Sequence, residues 1–267
     1  MFADKDFDEF DRENEHRLKR LWFVGDPHND FSTVELALDR ARQNGSSPRW
    51  VILLGDQDLV DRSLAKVTER FKRIQPSVNV AFIPGNHDAD THEKWSLMMD
   101  SGDAKPLHGL SVHLDGINVA GLGGNFLGRV WYPPAEPVFR NRAQAFGGRP
   151  VRQKPSPSLS GAIYPDEVAS LAKFRADILV THEAPSCHHH GWEVFDDLAR
   201  SLRVKRLFHG HTHDDNSAAF KLERNRMGFE VVTVNSRSIK NGLGEIVYEY
   251  APERAWRMEQ NRDWAAP

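Results

Sequence analysis

From residue 21 onward the chain alternates short apolar runs with stretches in which apolar positions recur every three or four residues. Residues 21–24, 50–54 and 78–83 are apolar runs too short for helices, each bounded by polar or glycine-containing segments, and they predict buried strands. Between the first two, Val34, Leu38 and Ala41 fall on one helical face. Ser32-Thr33-Val34-Glu35 has the spacing of a capping box and Asn44-Gly45 a stop signal, which predicts a helix over residues 32–43. Leu64, Val67, Phe71 and Ile74 mark a second amphipathic helix, and residues 92–99 begin another. Three β-α units in succession predict a parallel sheet covered by helices.

After Gly102 the pattern changes. Residues 111–114 and 117–120 flank Asp115-Gly116, a two-residue hairpin signal. A strand over 177–180, a helix over 193–202 (Val194, Leu198 and Leu202 at i+4) and a strand over 205–208 come next. Residues 229–234 and 245–250 read as closing antiparallel strands. Residues 1–20 form a charged N-terminal extension, either a surface helix or a frayed tail, and 251–267 a C-terminal tail. Residues 125–163 stand apart, with six prolines, six basic residues (Arg129, Arg140, Arg142, Arg149, Arg152, Lys154) and one acid, Glu136. An unperiodic connection well beyond ~15 residues reads as a functional lid or a disordered excursion.

Composition narrows the picture. With 267 residues, 39% of them hydrophobic, and seven tryptophans, the chain can bury a sizeable core, and residues 21–250 are expected to form one domain. A formal net charge of −3 gives no general attraction to nucleic acid. Cys187 is the only cysteine, which excludes an internal disulfide and fits a reducing compartment. No run approaches the ~18 apolar residues of a membrane span. The acidic first ten residues lack the apolar stretch of a secretory signal, so a cytoplasmic protein without a membrane partner is expected.

Chemistry enters at the strand ends. Asp26-Pro27-His28, Gly55-Asp56, Gly85-Asn86-His87-Asp88, Thr181-His182 and Gly210-His211-Thr212-His213 each follow a strand-like run. A strand that delivers a carboxylate, amide or imidazole at its C-terminal end is the usual way an α/β sheet builds a site. One such cluster means little. Five in series, mixing Asp, Asn and His, describe a site for two hard or borderline metal ions.

This order resembles the calcineurin-like metallophosphoesterase superfamily: D-x-H, G-D, G-N-H-[D/E], a lone His, then G-H-x-H, here from Asp26 to His213. The resemblance implies an α/β fold, a four-layer αββα sandwich of two mixed β-sheets flanked by helices. It also implies hydrolysis of a phosphomonoester or phosphodiester by a metal-bridging hydroxide. By motif, Asp56 would bridge the ions, Asp26, His28 and His213 would hold one, and Asn86, His182 and His211 the other. Mixed O and N donors favour Mn²⁺, with Fe, Zn²⁺ or Ni²⁺ as alternatives, over Ca²⁺. The neutral Asn86 carbonyl keeps the site from accumulating negative charge against phosphate. His87 would bind phosphate and protonate the leaving oxygen, with Asp88 as the first candidate to hold it in the charged form and Asp58 or Asp61 as others.

The sequence departs from the protein-phosphatase branch of the superfamily. There the second cluster reads G-D-x-V-D-R-G; here Asp61-Arg62 lies two residues further along, and Asn29 stands where that branch has Gly in G-D-x-H-G. Arg62 and Arg129 remain the candidate substrate contacts, beside Asn86 and His87. The basic insertion interleaves Phe126, Trp131, Tyr132, Phe139 and Phe146 with arginines, a mix that can stack bases and grip phosphates, so a nuclease or nucleotide phosphodiesterase is the alternative. A non-catalytic interaction scaffold is the alternative of another class. His188-His189-His190 reads as a polar loop, and His108, His113 and Glu183 as structural.

Overall fold

The computed structural model describes residues 4–147, 156–213 and 217–250. Its strands are β1 (Leu21–Val24), β2 (Trp50–Leu53), β3 (Asn79–Phe82), β4 (Lys105–Pro106), β5 (Leu110–Leu114) and β6 (Ile117–Leu122). They continue with β7 (Ile178–Thr181), β8 (Arg206–His209), β9 (Glu230–Thr233), β10 (Ile239–Asn241) and β11 (Ile246–Tyr248). One sheet has the order β11-β10-β1-β2-β3-β4, the other β5-β6-β7-β8-β9, and both mix parallel with antiparallel pairs.

Alternation along the strands builds the layers. Leu21 and Phe23, Ile52 and Leu54, and Ala81 and Ile83 point toward the second sheet and meet Val119, Ile178, Val180, Phe208 and Val232. Phe23 and Phe208 stack across this interface at 3.9 Å. Trp22, Val24, Val51, Leu53 and Phe82 point the other way, against Val34 and Leu38 of the helix Ser32–Gln43 and Val67 and Phe71 of the helix Leu64–Ile74. On the far side Leu122, Leu179, Leu207 and Val231 pack on Phe195, Leu198 and Leu202 of the helix Glu193–Leu202. The result is helix, sheet, sheet, helix.

Register then sets the site. Val24 pairs with Leu53 and Leu53 with Phe82, so β1, β2 and β3 end level. In the other sheet Thr181 is level with His209. The polar cluster after each strand therefore opens on the same edge of the molecule.

The hairpin forms on Asp115 and Gly116, both at positive φ (51° and 93°), as a two-residue turn of this type requires. Elsewhere the structure corrects the expectations. β9 runs parallel, not antiparallel, to β8, because the helix Ser217–Met227 carries the chain back across the sheet. The antiparallel partner of β1 is the short β10, absent from the sequence reading. Ser32 is the first residue of its helix rather than its cap; Asp30 Oδ1 accepts the Ser32 N–H at 3.0 Å. The tail 251–267 lies outside the described residues, and among the described residues no helix is long and apolar enough to cross a membrane.

The N-terminal extension is a docked helix, Asp4–Leu18, with Phe7 and Leu18 buried. Buried Arg206 ties it to the second sheet, donating to Asp11 at 2.7 and 2.5 Å and to Glu230 at 2.8 Å. Removing one partner of a buried pair leaves charge behind without compensation. Arg206→Ala is expected to lose about 3 kcal/mol in urea unfolding at unchanged slope; a change below about 0.5 kcal/mol would remove this role from Arg206.

Candidate metal centre

The loops that leave the strand ends are strained. Asp26, His28, Asp56, His211 and His213 all lie at positive φ, between 31° and 65°, where non-glycine residues are uncommon. Such strain persists only where the surroundings over-determine it, and it concentrates at functional sites. Asn29, at φ 61°, takes the same region with the side chain that best tolerates it after glycine. Two glycines let the loops meet. A Cβ on Gly55 (φ 105°) would overlap the His182 ring, and one on Gly85 would overlap the Asp56 carboxylate.

The donors converge as follows. His182 Nε2 lies 2.9 Å from Asn86 Oδ1 and 3.4 Å from Asp56 Oδ1, and its ring centre is 4.9 Å from that of His211. Asp56, His182 and His211 present ligand atoms all within 4.8 Å of one another. On the other side Asp26 Oδ2 sits 3.0 Å from His213 Nε2 and accepts the His211 N–H at 2.6 Å, while His28 and His213 meet edge to face at 5.6 Å. Donors each ~2.1 Å from one ion lie ~3–3.4 Å apart, so these separations fit shared ions.

The second layer fits as well. A metal-bound His usually donates its other ring N–H to a carbonyl or carboxylate. His182 Nδ1 meets the Leu54 carbonyl at 2.9 Å and His28 Nδ1 meets Asp58 Oδ2 at 3.4 Å, which leaves Nε2 of each ring for a ligand role. Asp26 Oδ1 is fully buried without a hydrogen-bond partner. Burial acts against a charged His182, yet Asp56 and Asp26 outweigh it and raise its pKa to about 10, the response of a site built around positive charge. Burial, and then the charge of His182, pushes His211 down to about 4, its neutral ligand form.

His87 borders this cluster. Its backbone N–H donates to Asp56 Oδ1 at 2.8 Å, and its ring is 5.6 Å from that of His28. Its carboxylate partner is Asp90, with Oδ2 2.9 Å from Nδ1; this hydrogen bond, opposed by partial burial, raises the His87 pKa above its ordinary value. Asp88 faces elsewhere. Wholly buried, and pushed by burial and then by Asp56 to a pKa of about 7, it accepts the backbone N–H groups of Gly85 and Asp58 at 2.8 Å and so shapes the loops. Asp61 holds Arg62 through two hydrogen bonds of 3.0 and 2.7 Å, and Arg129 bonds Ser156 and Ser158 within the insertion. Asp90 and Lys94, which the sequence reading passed over, are thus part of the site, and Lys94 Nζ contacts both Asp90 and Asp58.

The family model for calcineurin-like phosphoesterase matches residues 19–215, the stretch that carries all five clusters. The chain belongs to this family. An uncharacterised protein of Haemophilus influenzae is 28% identical over 245 residues, spanning 88% of this chain and 99% of that one. One solved structure, 12% identical, superposes with a TM-score of 0.53 over 84% of this chain and 95% of its own, a likeness of fold. The Thermus thermophilus sulfate thiohydrolase SoxB aligns at 15% identity and a TM-score of 0.41, over 80% of this chain and 40% of its own.

The insertion of this family member is anchored at the rim of the candidate centre. Gly124 N donates to Pro84 O in the loop before Asn86, and Phe126 N donates to Glu183, the residue after His182. Glu183 is buried and raised by that burial to a pKa of about 7. Val130, Ala145, Leu159, Ala162 and Tyr164 give the insertion its own small core, so its described part is neither structureless nor loose. Arg142 pins it, with Glu167 at 2.6 Å, His108 at 3.1 Å and Tyr164 under the guanidinium. Arg149, Arg152 and Lys154 lie outside the described residues. The rings of His188, His189 and His190 pack against one another at tilted angles in a loop, and the His188 Nδ1 accepts the His190 N–H at 3.1 Å.

Proposed function

We propose that the chain is a dinuclear-metal hydrolase of phosphomonoesters or phosphodiesters. The observation that supports this most is Asp56, a buried carboxylate beside His182 whose oxygen also takes the backbone N–H of the His87 turn. Asp56 would serve both ions, Asp26, His28 and His213 one, and Asn86, His182 and His211 the other; the O and N donors suit Mn²⁺ first, then Fe, Zn²⁺ or Ni²⁺. Two such ions clamp phosphoryl oxygens and bring the pKa of water to about 7.

The chain's own residues supply the rest. Asp90 occupies His87 Nδ1, so Nε2 is the nitrogen free to face the ester. As the P–O bond to the leaving group breaks, its electron pair stays on that oxygen, and the proton on His87 Nε2 neutralises it. Asn86 binds without adding negative charge. Asp88 orders the turn rather than the acid. Arg62 and Arg129 are both engaged by neighbours, which leaves the grip on phosphate to the ions, Asn86 and His87.

A nucleotide or nucleic-acid diester is favoured by one feature. Tyr132, 56% exposed, sets its ring edge-to-face on Trp192 at 4.7 Å, and Trp192 N–H bonds the Ala184 carbonyl two residues beyond His182. The exposed Tyr132 ring of the insertion, backed by half-buried Trp192, offers a face on which a base could stack. The test is hydrolysis of an aryl phosphomonoester, the matching diester and a nucleotide diester by metal-stripped protein reconstituted with Mn²⁺. A nucleotide preference is expected; preference for the monoester would turn the search to phosphorylated small molecules or proteins. Silence on all three with two ions bound would shift weight to a scaffold.

A further inference from the structure

Lys94 breaks a local rule. It is the third residue of the helix His92–Met99, where the exposed N–H groups already carry positive potential and a cation is disfavoured. Its backbone is fixed there, because Thr91 Oγ1 accepts the Lys94 N–H at 3.1 Å. Its side chain turns inward, with Nζ 2.5 Å from Asp58 Oδ1 and 3.1 Å from Asp90 Oδ2. Asp58 in turn faces His28 Nδ1 at 3.4 Å and Asp90 faces His87 Nδ1 at 2.9 Å, and the two imidazoles stand 5.6 Å apart. The five side chains close a ring in which each carboxylate lies between the Lys94 ammonium and one imidazole.

We infer that Lys94 is a positioning residue that sets the orientation of His87 and His28 together. This rests on His87 being the acid of the proposed reaction. The ammonium bridges two carboxylates that would otherwise repel each other and swing toward the nearest cation. With Lys94 in place, each carboxylate stays on the Nδ1 of its own ring, and each Nε2 is directed into the centre. A loss of about 1 Å in such placement is enough to slow catalysis by ~10²-fold.

The test compares Lys94→Met with Lys94→Arg. Acid catalysis matters for a poor leaving group and little for a good one. In the Mn²⁺-loaded protein K94M is therefore expected to turn over diphenyl phosphate about 10–100-fold more slowly, and bis(4-nitrophenyl) phosphate less than about threefold more slowly. At saturating Mn²⁺ metal content should be unchanged, although the Mn²⁺ Kd weakens by up to about 10–100-fold through His28, and K94R should recover most of both losses. In the metal-free protein at a pH above the His87 pKa, where the ring is neutral, ¹H–¹⁵N correlation should show the Nδ1–H tautomer in wild type and K94R and a mixture of tautomers in K94M. Equal loss on both esters, or an unaltered ring signal, would overturn the inference. His87→Ala measured alongside separates the layers. If H87A discriminates between the esters and K94M does not, only the role of Lys94 fails; if H87A does not discriminate, the acid reading fails and takes this inference with it.

Discussion

Asp56→Asn should abolish metal binding and hydrolysis together, with activity down at least ~10³-fold, the scale of the several kcal/mol that metal ions contribute to phosphoryl transfer. An Asn side chain keeps one carbonyl oxygen and replaces the other by an NH₂ group, which repels a cation. It cannot serve two ions. The buried Asp56 is held ionised in spite of its burial, mainly by His182 and then by the His87 N–H, so its charge is available when a cation arrives. The measurement is metal content after gel filtration beside kcat/KM on an aryl ester, with circular dichroism to confirm folding. A folded D56N that keeps two ions and wild-type turnover would refute the bridging role.

His87→Ala should behave in the opposite way: both ions retained, KM little changed, kcat lower by about 10²–10⁴-fold, the usual worth of a positioned general acid. The contrast follows from the geometry. The His87 backbone N–H, which survives the substitution, is what contacts Asp56, while only the ring engages Asp90. Normal turnover in H87A would end the assignment of this residue as the acid.

Much of this arrangement is visible in the sequence, for identifiable reasons. β1, β2 and β3 are buried on both faces, so they show as unbroken apolar runs, and the candidate ligands come directly after them. Where side chains meet through space, the sequence misleads. Asp88 is next to His87 in the chain, but the turn His87–Ala89 is a 3₁₀ helix, in which positions i and i+3 eclipse, and this brings Asp90 under the imidazole while Asp88 turns into the protein. The role of Lys94 is hidden for a related reason: Asp90 lies four residues before it, but Asp58 comes from a different loop. β10 is three residues long and two of them, Lys240 and Asn241, are polar, too weak a signal to register. The direction of β9 depends on the helix before it, whose apolar residues Ala218, Ala219, Phe220 and Leu222 cluster at its start, with only Met227 after them, and give no sustained period. The internal order of the insertion is not legible in the sequence because its core of five residues is gathered from distant positions between Val130 and Tyr164.

The most direct test is to titrate metal-stripped protein with Mn²⁺ while following hydrolysis of an aryl phosphodiester and monoester. The account predicts that activity on at least one ester rises until two equivalents are bound and then levels off. A plateau at one equivalent, or two bound equivalents without hydrolysis of either ester, would contradict it.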